Sequence, residues 1–288
     1  MNGSEPNNVS LSVHQRLNNL SRERGEDPNL LLIRYAVERL LYRLSESEFA
    51  EKFILKGAML FSVWTQIPHR TTKDLDLLGL GDLSSDDVRI LFQSLCAIST
   101  IDDGLNFISE SIKIEEIREP NEYNGFRIHL ECYLGNVRIP VQIDVAFGDV
   151  VNPSAKFIKY PTLLNFPSPR ILAYPIESVV AEKFQAIVYL GIANSRMKDY
   201  FDLYMLCQLF KFNPKRLKKA IQATFQRRHT SLPNNVPIGL SNEFSDDDLK
   251  QTQWKAFLQR NRIDNAPMEL EKVLTKVREF ILPVVMDV

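Results

Sequence analysis

Hydrophobic and polar residues alternate along several segments of the chain, which predicts strands with one buried face. Val141, Ile143 and Val145 alternate with Gln142 and Asp144, so the apolar side chains would enter the core and the polar ones would share the opposite face. The same alternation occurs where Asp74 and Asp76 alternate with Leu75 and Leu77. Strands are predicted over residues 53–56, 74–77, 112–117, 126–133 and 137–147.

Apolar residues recur every three or four positions elsewhere, which predicts helices. One helix follows Asp27 and Pro28, and Ser45 with Glu48 forms a capping-box signal for a second helix ending near Lys52. Further helices are predicted after Gly57, over 86–99, from Pro175 to Gly191, after a cap at Ser195, and after Asn213-Pro214.

The order of these elements predicts an α+β fold. A mixed sheet flanked by helices occupies the first part of the chain, and nearly every later pattern is helical. Proline-rich residues 166–170 are the best linker candidate. We therefore expect an N-terminal region with the sheet core over 1–165 and a C-terminal helical domain over 170–288.

Asp74 and Asp76 lie two residues apart on a predicted strand, so both carboxylates point to the same side. Two hard oxygen ligands at fixed spacing suit Mg²⁺, which often bridges protein carboxylates to substrate phosphates. An edge strand with a solvated acidic face is the simpler interpretation of a short motif. If the strand that carries Asp144 pairs beside it, a third carboxylate joins the same surface.

Lys183 interrupts an apolar stripe formed by Val179, Val180 and Ile187 on a predicted helix. A lysine there must extend its ammonium group to solvent or meet an anion, and its charge contributes no stability unless an anion is close. On the next predicted helix, Asp199 lies three residues from Asp202 and three from Arg196. A surface salt bridge between Arg196 and Asp199 would explain that spacing and would contribute little to stability.

Residues 211–229 contain seven lysines and arginines and no acidic residue. Leu217, Ile221 and Phe225 would face inward on this helix, so that Lys215, Lys218 and Lys219 point outward. The pattern fits a nucleic-acid patch and, equally, a solvated face balanced by the acidic stretch 243–248.

Composition bounds these interpretations. At 288 residues and 44% hydrophobic content, the chain can bury a full core in one large or two modest domains. Its net charge of −1 gives no general field that would hold RNA. Three widely spaced cysteines, no signal peptide and no long apolar segment indicate a cytoplasmic protein with no membrane association. Four scattered histidines argue against a histidine-based metal site.

Taken in order, these motifs resemble those of the AbiEii/AbiGii-type nucleotidyltransferase toxins, a branch of the DNA polymerase β-like superfamily. The resemblance extends from about Phe53 to the C-terminus. It is densest in three segments, which are Gln142-Ile-Asp-Val-Ala-Phe-Gly-Asp149, Tyr160-Pro-Thr-Leu-Leu164 and Ala173-Tyr-Pro-Ile-Glu-Ser-Val-Val-Ala-Glu-Lys-Phe184.

The resemblance implies roles for individual residues. Asp74 and Asp76 would be catalytic metal ligands, Lys183 would contact the triphosphate, and Asp199 would be the acidic residue of the fourth motif. Asp144 matches the third acid, a further metal ligand, more loosely.

The superfamily usually has glycine and then serine or glycine where this chain has Gly57 and Ala58. We assign nucleotide binding to Gly57, through backbone N–H groups of the following helix, and none to Ala58. Arg70 and Lys73 are further candidates for triphosphate contact because their charge would offset that of the substrate.

The expected function is Mg²⁺-dependent transfer of a nucleotide from an NTP to RNA. The resemblance suggests the tRNA acceptor end as substrate and a toxin role opposed by a separate antitoxin protein. Two alternatives stay open at this point. A transferase with a protein or small-molecule acceptor would keep the acidic motifs without needing the basic helix, and a non-catalytic RNA-binding module would keep the basic helix alone.

Overall fold

The computed structural model describes residues 9–65, 72–117 and 125–286 of the chain. Within those ranges the strands are β1 (Phe53–Lys56), β2 (Asp74–Gly79), β3 (Leu105–Ile117), β4 (Gly125–Leu134), β5 (Val137–Phe147), β6 (Lys156–Lys159) and β7 (Arg170–Ala173). The helices are α1 (Val9–Arg24), α2 (Pro28–Ser45), α3 (Met59–Thr65), α4 (Ser85–Ala97), α5 (Ile176–Leu190), α6 (Met197–Leu209), α7 (Pro214–Arg227), α8 (Asn242–Asp246), α9 (Asp248–Asn261) and α10 (Leu270–Val285).

The chain divides into two compact units that are not contiguous in sequence. Unit 1 comprises Met1–Gly148 and Lys156–Ala173, and unit 2 comprises Asp149–Ala155 and Tyr174–Val288. Unit 1 contains the sheet and helices α1 to α4, whereas unit 2 is helical. The predicted combination of a mixed sheet with a helical C-terminal part is therefore confirmed.

Strand β2 lies inside the sheet, whose order is β3-β4-β5-β2-β1-β7-β6. It pairs antiparallel with β1 on one side and parallel with β5 on the other. Pairing of β2 with β5 is required to place Asp144 beside Asp74 and Asp76, and the structure shows this pairing.

One face of this sheet forms the core of unit 1. On β5, Ile139, Val141, Ile143 and Val145 are all at most 2% exposed, as the alternating pattern predicts. Helix α2 packs against β5 and β7, and α4 packs against β3. Every second residue of β2, β4 and β5 thus stays on the opposite face, where polar side chains collect.

A buried ionic cluster fixes helix α2 to the loop before β3. Arg43 donates from Nη1 and Nη2 to the two oxygens of Asp103 at 2.7 and 3.2 Å. Arg39 Nε donates to the same carboxylate at 3.4 Å, and the Tyr35 hydroxyl donates to the Asp103 carbonyl at 2.8 Å. Because all four residues are 5% exposed or less, each charge depends on its partner.

The short segment 149–155 belongs to unit 2 because two contacts anchor it there. Arg228, at the C-terminal end of α7, donates from Nη2 to both oxygens of Asp149 at 3.0 and 3.1 Å. Ser178 on α5 accepts from the Asn152 amide at 3.2 Å and donates to its carbonyl at 3.1 Å. No helix in the described ranges is long and apolar enough to cross a bilayer.

Two sequence predictions about local structure were wrong. Residues 46–52 form turns rather than a helix, because the Ser45 hydroxyl donates back to the Tyr42 carbonyl instead of capping a new helix. The predicted linker at 166–170 lies within unit 1, and Arg170 begins β7, which pairs with β1 and β6. Four residues of β7 are too few to show alternation in the sequence.

The buried cluster predicts that removing one of its charges lowers the stability of the fold considerably. Asp103→Asn keeps the side chain's size but leaves Arg43 without a carboxylate, and we expect the free energy of unfolding to fall by about 3 kcal/mol. Urea denaturation followed by circular dichroism measures it. Asp102→Asn is the matched control, because Asp102 is exposed, and it should change stability by less than about 1 kcal/mol. Equal stabilities for the two variants would contradict the account.

Candidate functional site

Strand β2 presents two carboxylates on the polar face of the sheet. Asp74 is exposed and Asp76 is half-buried, whereas Leu75 and Leu77 between and beyond them are 1% exposed. The strand and its alternation are as predicted from the sequence. Both acids thus share one face, with Asp74 on the solvent side.

Gly57 makes room for the carboxylate of Asp76. Its φ of +74° lies in the left-handed region that favours glycine, and a Cβ built on it would lie 2.0 Å from Asp76 Oδ2. The backbone turn before α3 therefore fits directly against the acid, and no larger residue fits there without displacing Asp76. Contact between Gly57 and a triphosphate stays a prediction; the close approach to Asp76 is a separate reason for glycine.

Asp144 lies beside Asp76, because the two residues are direct partners in the parallel pairing of β5 and β2. Arg127 on β4 donates from Nε and Nη2 to the two oxygens of Asp144 at 2.8 and 2.7 Å. Gln142 also donates to Asp144 Oδ1 at 3.3 Å. These hydrogen bonds raise the pKa of the Arg127 guanidinium above its ordinary value. A metal-ligand role for Asp144 stays a prediction.

A row of charged residues crosses the polar face through the acidic pair of neighbours. In the register of the sheet, Lys56 lies opposite Asp76, Asp76 opposite Asp144, Asp144 opposite Arg127, and Arg127 opposite Glu115. Two adjacent acids are therefore flanked by a cation on each side. Among the described residues, no three His, Cys, Asp or Glu side chains are arranged to hold a metal ion by themselves.

The two cations predicted to contact the triphosphate, Arg70 and Lys73, lie just before β2 in the sequence. Arg70 lies outside the described residues. Lys73 is exposed, and with Thr72 and Asp74 it borders a small crevice whose other walls include Arg34, Ser62 and Tyr160. Its proposed contact with a triphosphate stays a prediction.

In unit 2, Lys183 meets two anions. Its ammonium nitrogen lies 2.7 Å from Asp199 Oδ1 and 2.8 Å from Asp202 Oδ2. Arg196 Nε lies 2.7 Å from the second oxygen of Asp199. The predicted pairing of Arg196 with Asp199 is confirmed, but it is not a surface pair, because both aspartates are fully buried. Two cations and two anions form a neutral cluster.

The cluster keeps Asp199 ionised. Burial alone would raise the pKa of this carboxyl, but the charges of Lys183 and Arg196 outweigh burial and hold the pKa below its usual value. A carboxyl whose pKa falls on folding stabilises the native state above its unfolded pKa. That contribution is lost as the pH falls through the lowered value.

The turn that positions Arg196 is itself held by buried groups. Asn194 Oδ1 accepts a hydrogen bond from the Arg196 amide at 2.8 Å, and Lys250 on α9 donates to the Asn194 carbonyl at 3.1 Å. Arg196 is the residue before α6, so the predicted cap at Ser195 was wrong. Sequence spacing could not reveal Lys250, because it lies 56 residues from its partner.

Helix α7 has the predicted cap and the predicted inward face. Asn213 accepts from the Arg216 amide, and Leu217, Ile221 and Phe225 are at most 1% exposed. On the outer side, Lys215 and Lys219 are exposed and Lys218 is half-buried. Two other cations of this stretch form ion pairs. Arg216, whose side chain is 56% exposed, lies 3.0 Å from Glu177, and Arg228, whose side chain is largely buried, lies 3.0 Å from Asp149.

Sequence reasoning missed three residues in these arrangements. Lys56 precedes Gly57 and faces Asp76, and alternation along β1 could have identified it. Arg127 shares the polar face of a correctly predicted strand, but only the register of the sheet shows that it opposes Asp144. The spacing of Asp202 from Asp199 gives it no role by itself, and the structure shows its carboxylate 2.8 Å from the Lys183 ammonium nitrogen.

The arrangement in unit 1 suits an oxygen-seeking cation, and the cluster in unit 2 holds a lysine extended and charged. The first combines an exposed and a half-buried carboxylate on a rigid strand. The second surrounds an ammonium group with two buried carboxylates.

Solved structures with a similar fold include two from Helicobacter pylori. Among solved structures, the chain is similar to a proposed nucleotidyltransferase from Helicobacter pylori, which is 13% identical with a TM-score of 0.54, and 91% of this chain and 96% of that one are covered. JHP933 from the same organism gives the same identity and TM-score, with 91% and 94% covered. At this identity the likeness shows the fold alone.

Sequence comparison goes further than the structural likeness. No curated protein sequence matches the chain. The family model described as nucleotidyl transferase AbiEii toxin, type IV TA system, matches residues 39–276, which is well over half of the chain. The chain therefore belongs to the AbiEii nucleotidyl transferase toxin family of type IV toxin–antitoxin systems.

Proposed function

We propose that this protein transfers a nucleotide from an NTP to a hydroxyl group of RNA, with the tRNA acceptor end as the acceptor, in a reaction that requires Mg²⁺. The observation that carries the proposal is the pair of carboxylates on β2, with Asp76 seated against Gly57. Family membership supplies the enzyme class and implies an antitoxin partner.

Asp74 and Asp76 fit the cation that the family's chemistry needs. Their oxygens are the hard ligands that Mg²⁺ prefers, and Asp74 is exposed, so a cation that arrives with a nucleotide can reach them. When bound, Mg²⁺ would offset the charge of the triphosphate and align the reacting oxygens.

The transfer itself forms one bond and breaks one. The acceptor hydroxyl oxygen bonds to the α-phosphorus of the NTP, the bond from that phosphorus to the bridging oxygen breaks, and pyrophosphate leaves while the hydroxyl proton passes to solvent. Negative charge grows on the pyrophosphate, and Lys183 would offset it. Asp199 and Asp202 would keep that lysine protonated and extended.

An RNA acceptor is supported by the exposed lysines of α7. Lys215 and Lys219 lie outside on a helix whose inner face is fully packed, and Lys218 lies half-buried between them. Such a row can contact successive phosphates without altering the core. NTPs and tRNA are both cytoplasmic, so this function also places the protein in the cytoplasm.

The metal assignment predicts loss of transfer without loss of fold. Asp74→Asn and Asp76→Asn replace a carboxylate by a neutral amide of similar size, which is a poor Mg²⁺ ligand. We expect each variant to label total tRNA from labelled NTPs at least about a hundredfold more slowly. Asp82→Asn, at an exposed position outside the strand, is the control and should transfer normally. Wild-type rates in both test variants would rule out the metal site.

The Lys183 cluster predicts loss of both stability and transfer in Lys183→Met. Two fully buried aspartates would lose their shared cation, so we expect the free energy of unfolding to fall by about 3 kcal/mol or more. Thermal denaturation and tRNA labelling measure the two effects.

A triple variant separates the structural role of Lys183 from its catalytic role. Lys183→Met with Asp199→Asn and Asp202→Asn removes the buried charges together, which should restore much of the stability but none of the transfer. A stable triple variant with wild-type transfer would show that the lysine is only structural.

The exposed lysines of α7 predict that the binding of tRNA, but not of NTP, depends on surface charge. Lys215→Glu with Lys219→Glu should leave NTP binding near wild type, weaken tRNA binding, and flatten its salt dependence by roughly one unit of slope per lost phosphate contact. Lys255→Glu with Lys272→Glu reverses two exposed lysines elsewhere in unit 2 and gives the matched control. If both pairs bind tRNA equally well, the acceptor is not held by α7, and an acceptor of another class is favoured.

A further inference from the structure

Arg127 makes a bidentate contact with Asp144 on the polar face of the sheet. It lies on β4, directly across from Asp144 and two strands from Asp76. Its two parallel hydrogen bonds to Asp144 fix the plane of the carboxylate, and paired contacts of this kind are among the stronger charge-assisted hydrogen bonds. Asp144 thereby has a fixed orientation.

The contact is not explained by stability of the core. The Arg127 side chain is 40% exposed and that of Asp144 is 21% exposed, so the pair contributes little to the free energy of folding. Its position suggests another effect, because it lies next to the carboxylates proposed to carry a divalent cation. A fixed positive charge there opposes metal binding, and an engaged carboxylate is not offered to the metal.

We propose that Arg127 is a positioning residue that holds Asp144 away from the divalent cation, so that Asp74 and Asp76 bind the cation with two carboxylates rather than three. This inference rests on the proposed function. Fewer protein ligands leave more coordination positions for phosphate oxygens, and weaker binding to the protein favours a cation that arrives and leaves with the nucleotide.

Metal affinity tests this arrangement without relying on enzyme activity. Mn²⁺ serves as the probe, and the electron paramagnetic resonance signal of free Mn²⁺ measures its dissociation constant at fixed ionic strength. The proteins compared are wild type, Arg127→Gln, Asp144→Asn and the double variant. Thermal denaturation checks that each is folded.

Arg127→Gln should bind Mn²⁺ more tightly by about threefold to tenfold, since a positive charge roughly 10 Å away is lost and a carboxylate is released. Asp144→Asn should bind more weakly by a similar factor because Arg127 keeps its charge. The double variant removes both charges and should return close to the wild-type affinity.

Arg138→Gln is the matched control. Arg138 lies on the same polar face and also pairs with an acid, Glu131. It is six residues from Asp144 along β5, about 20 Å away and beyond the Debye length at physiological salt. Its Mn²⁺ affinity should equal that of wild type.

Two results would overturn the role of Arg127. If the double variant binds as weakly as Asp144→Asn, Asp144 is itself a metal ligand; if Arg127→Gln matches wild type, the pair has no influence on the metal. Both leave the proposed function standing. Failure of the wild-type protein to bind Mn²⁺ would instead remove the metal site, and the inference with it.

Discussion

The position of β2 between an antiparallel and a parallel neighbour is the constraint on which the polar face of unit 1 depends. The parallel pairing sets Asp76 beside Asp144, and the antiparallel pairing sets it beside Lys56. Moving β2 by one residue in either pairing would turn its carboxylates into the core. Leu75 and Leu77, which are fully packed, make that shift costly and so hold the acids in place.

Much of this face could be predicted because strand alternation is a local property. The pattern around Asp144 gave both the bounds of β5 and the direction of its carboxylate. Arg127 could not be assigned in the same way, because its contact depends on how β4 and β5 align. The sequence placed each side chain on a face, and only the register determined its neighbours.

In helical unit 2, the sequence alone could not identify the partners of a buried charge. Periodicity correctly placed Lys183 in an apolar stripe, where its ammonium group must reach solvent or meet an anion. It could not identify Asp199 and Asp202 as those anions, because their spacing fits a surface position equally well and their burial follows from how α5 and α6 pack. The boundary between units was harder still, since β7 is short and one of its two partner strands, β1, lies far earlier in the sequence.

The path of the chain limits how one unit could be exchanged by recombination of the gene. Residues 149–155 are part of unit 2, yet residues 156–173 return to unit 1 before the chain reaches Tyr174. A fragment that begins at Tyr174 therefore lacks Asp149, and Arg228 would lose a buried partner. Neither unit corresponds to a single uninterrupted stretch of gene, so a single recombination junction cannot exchange one for a homologous unit.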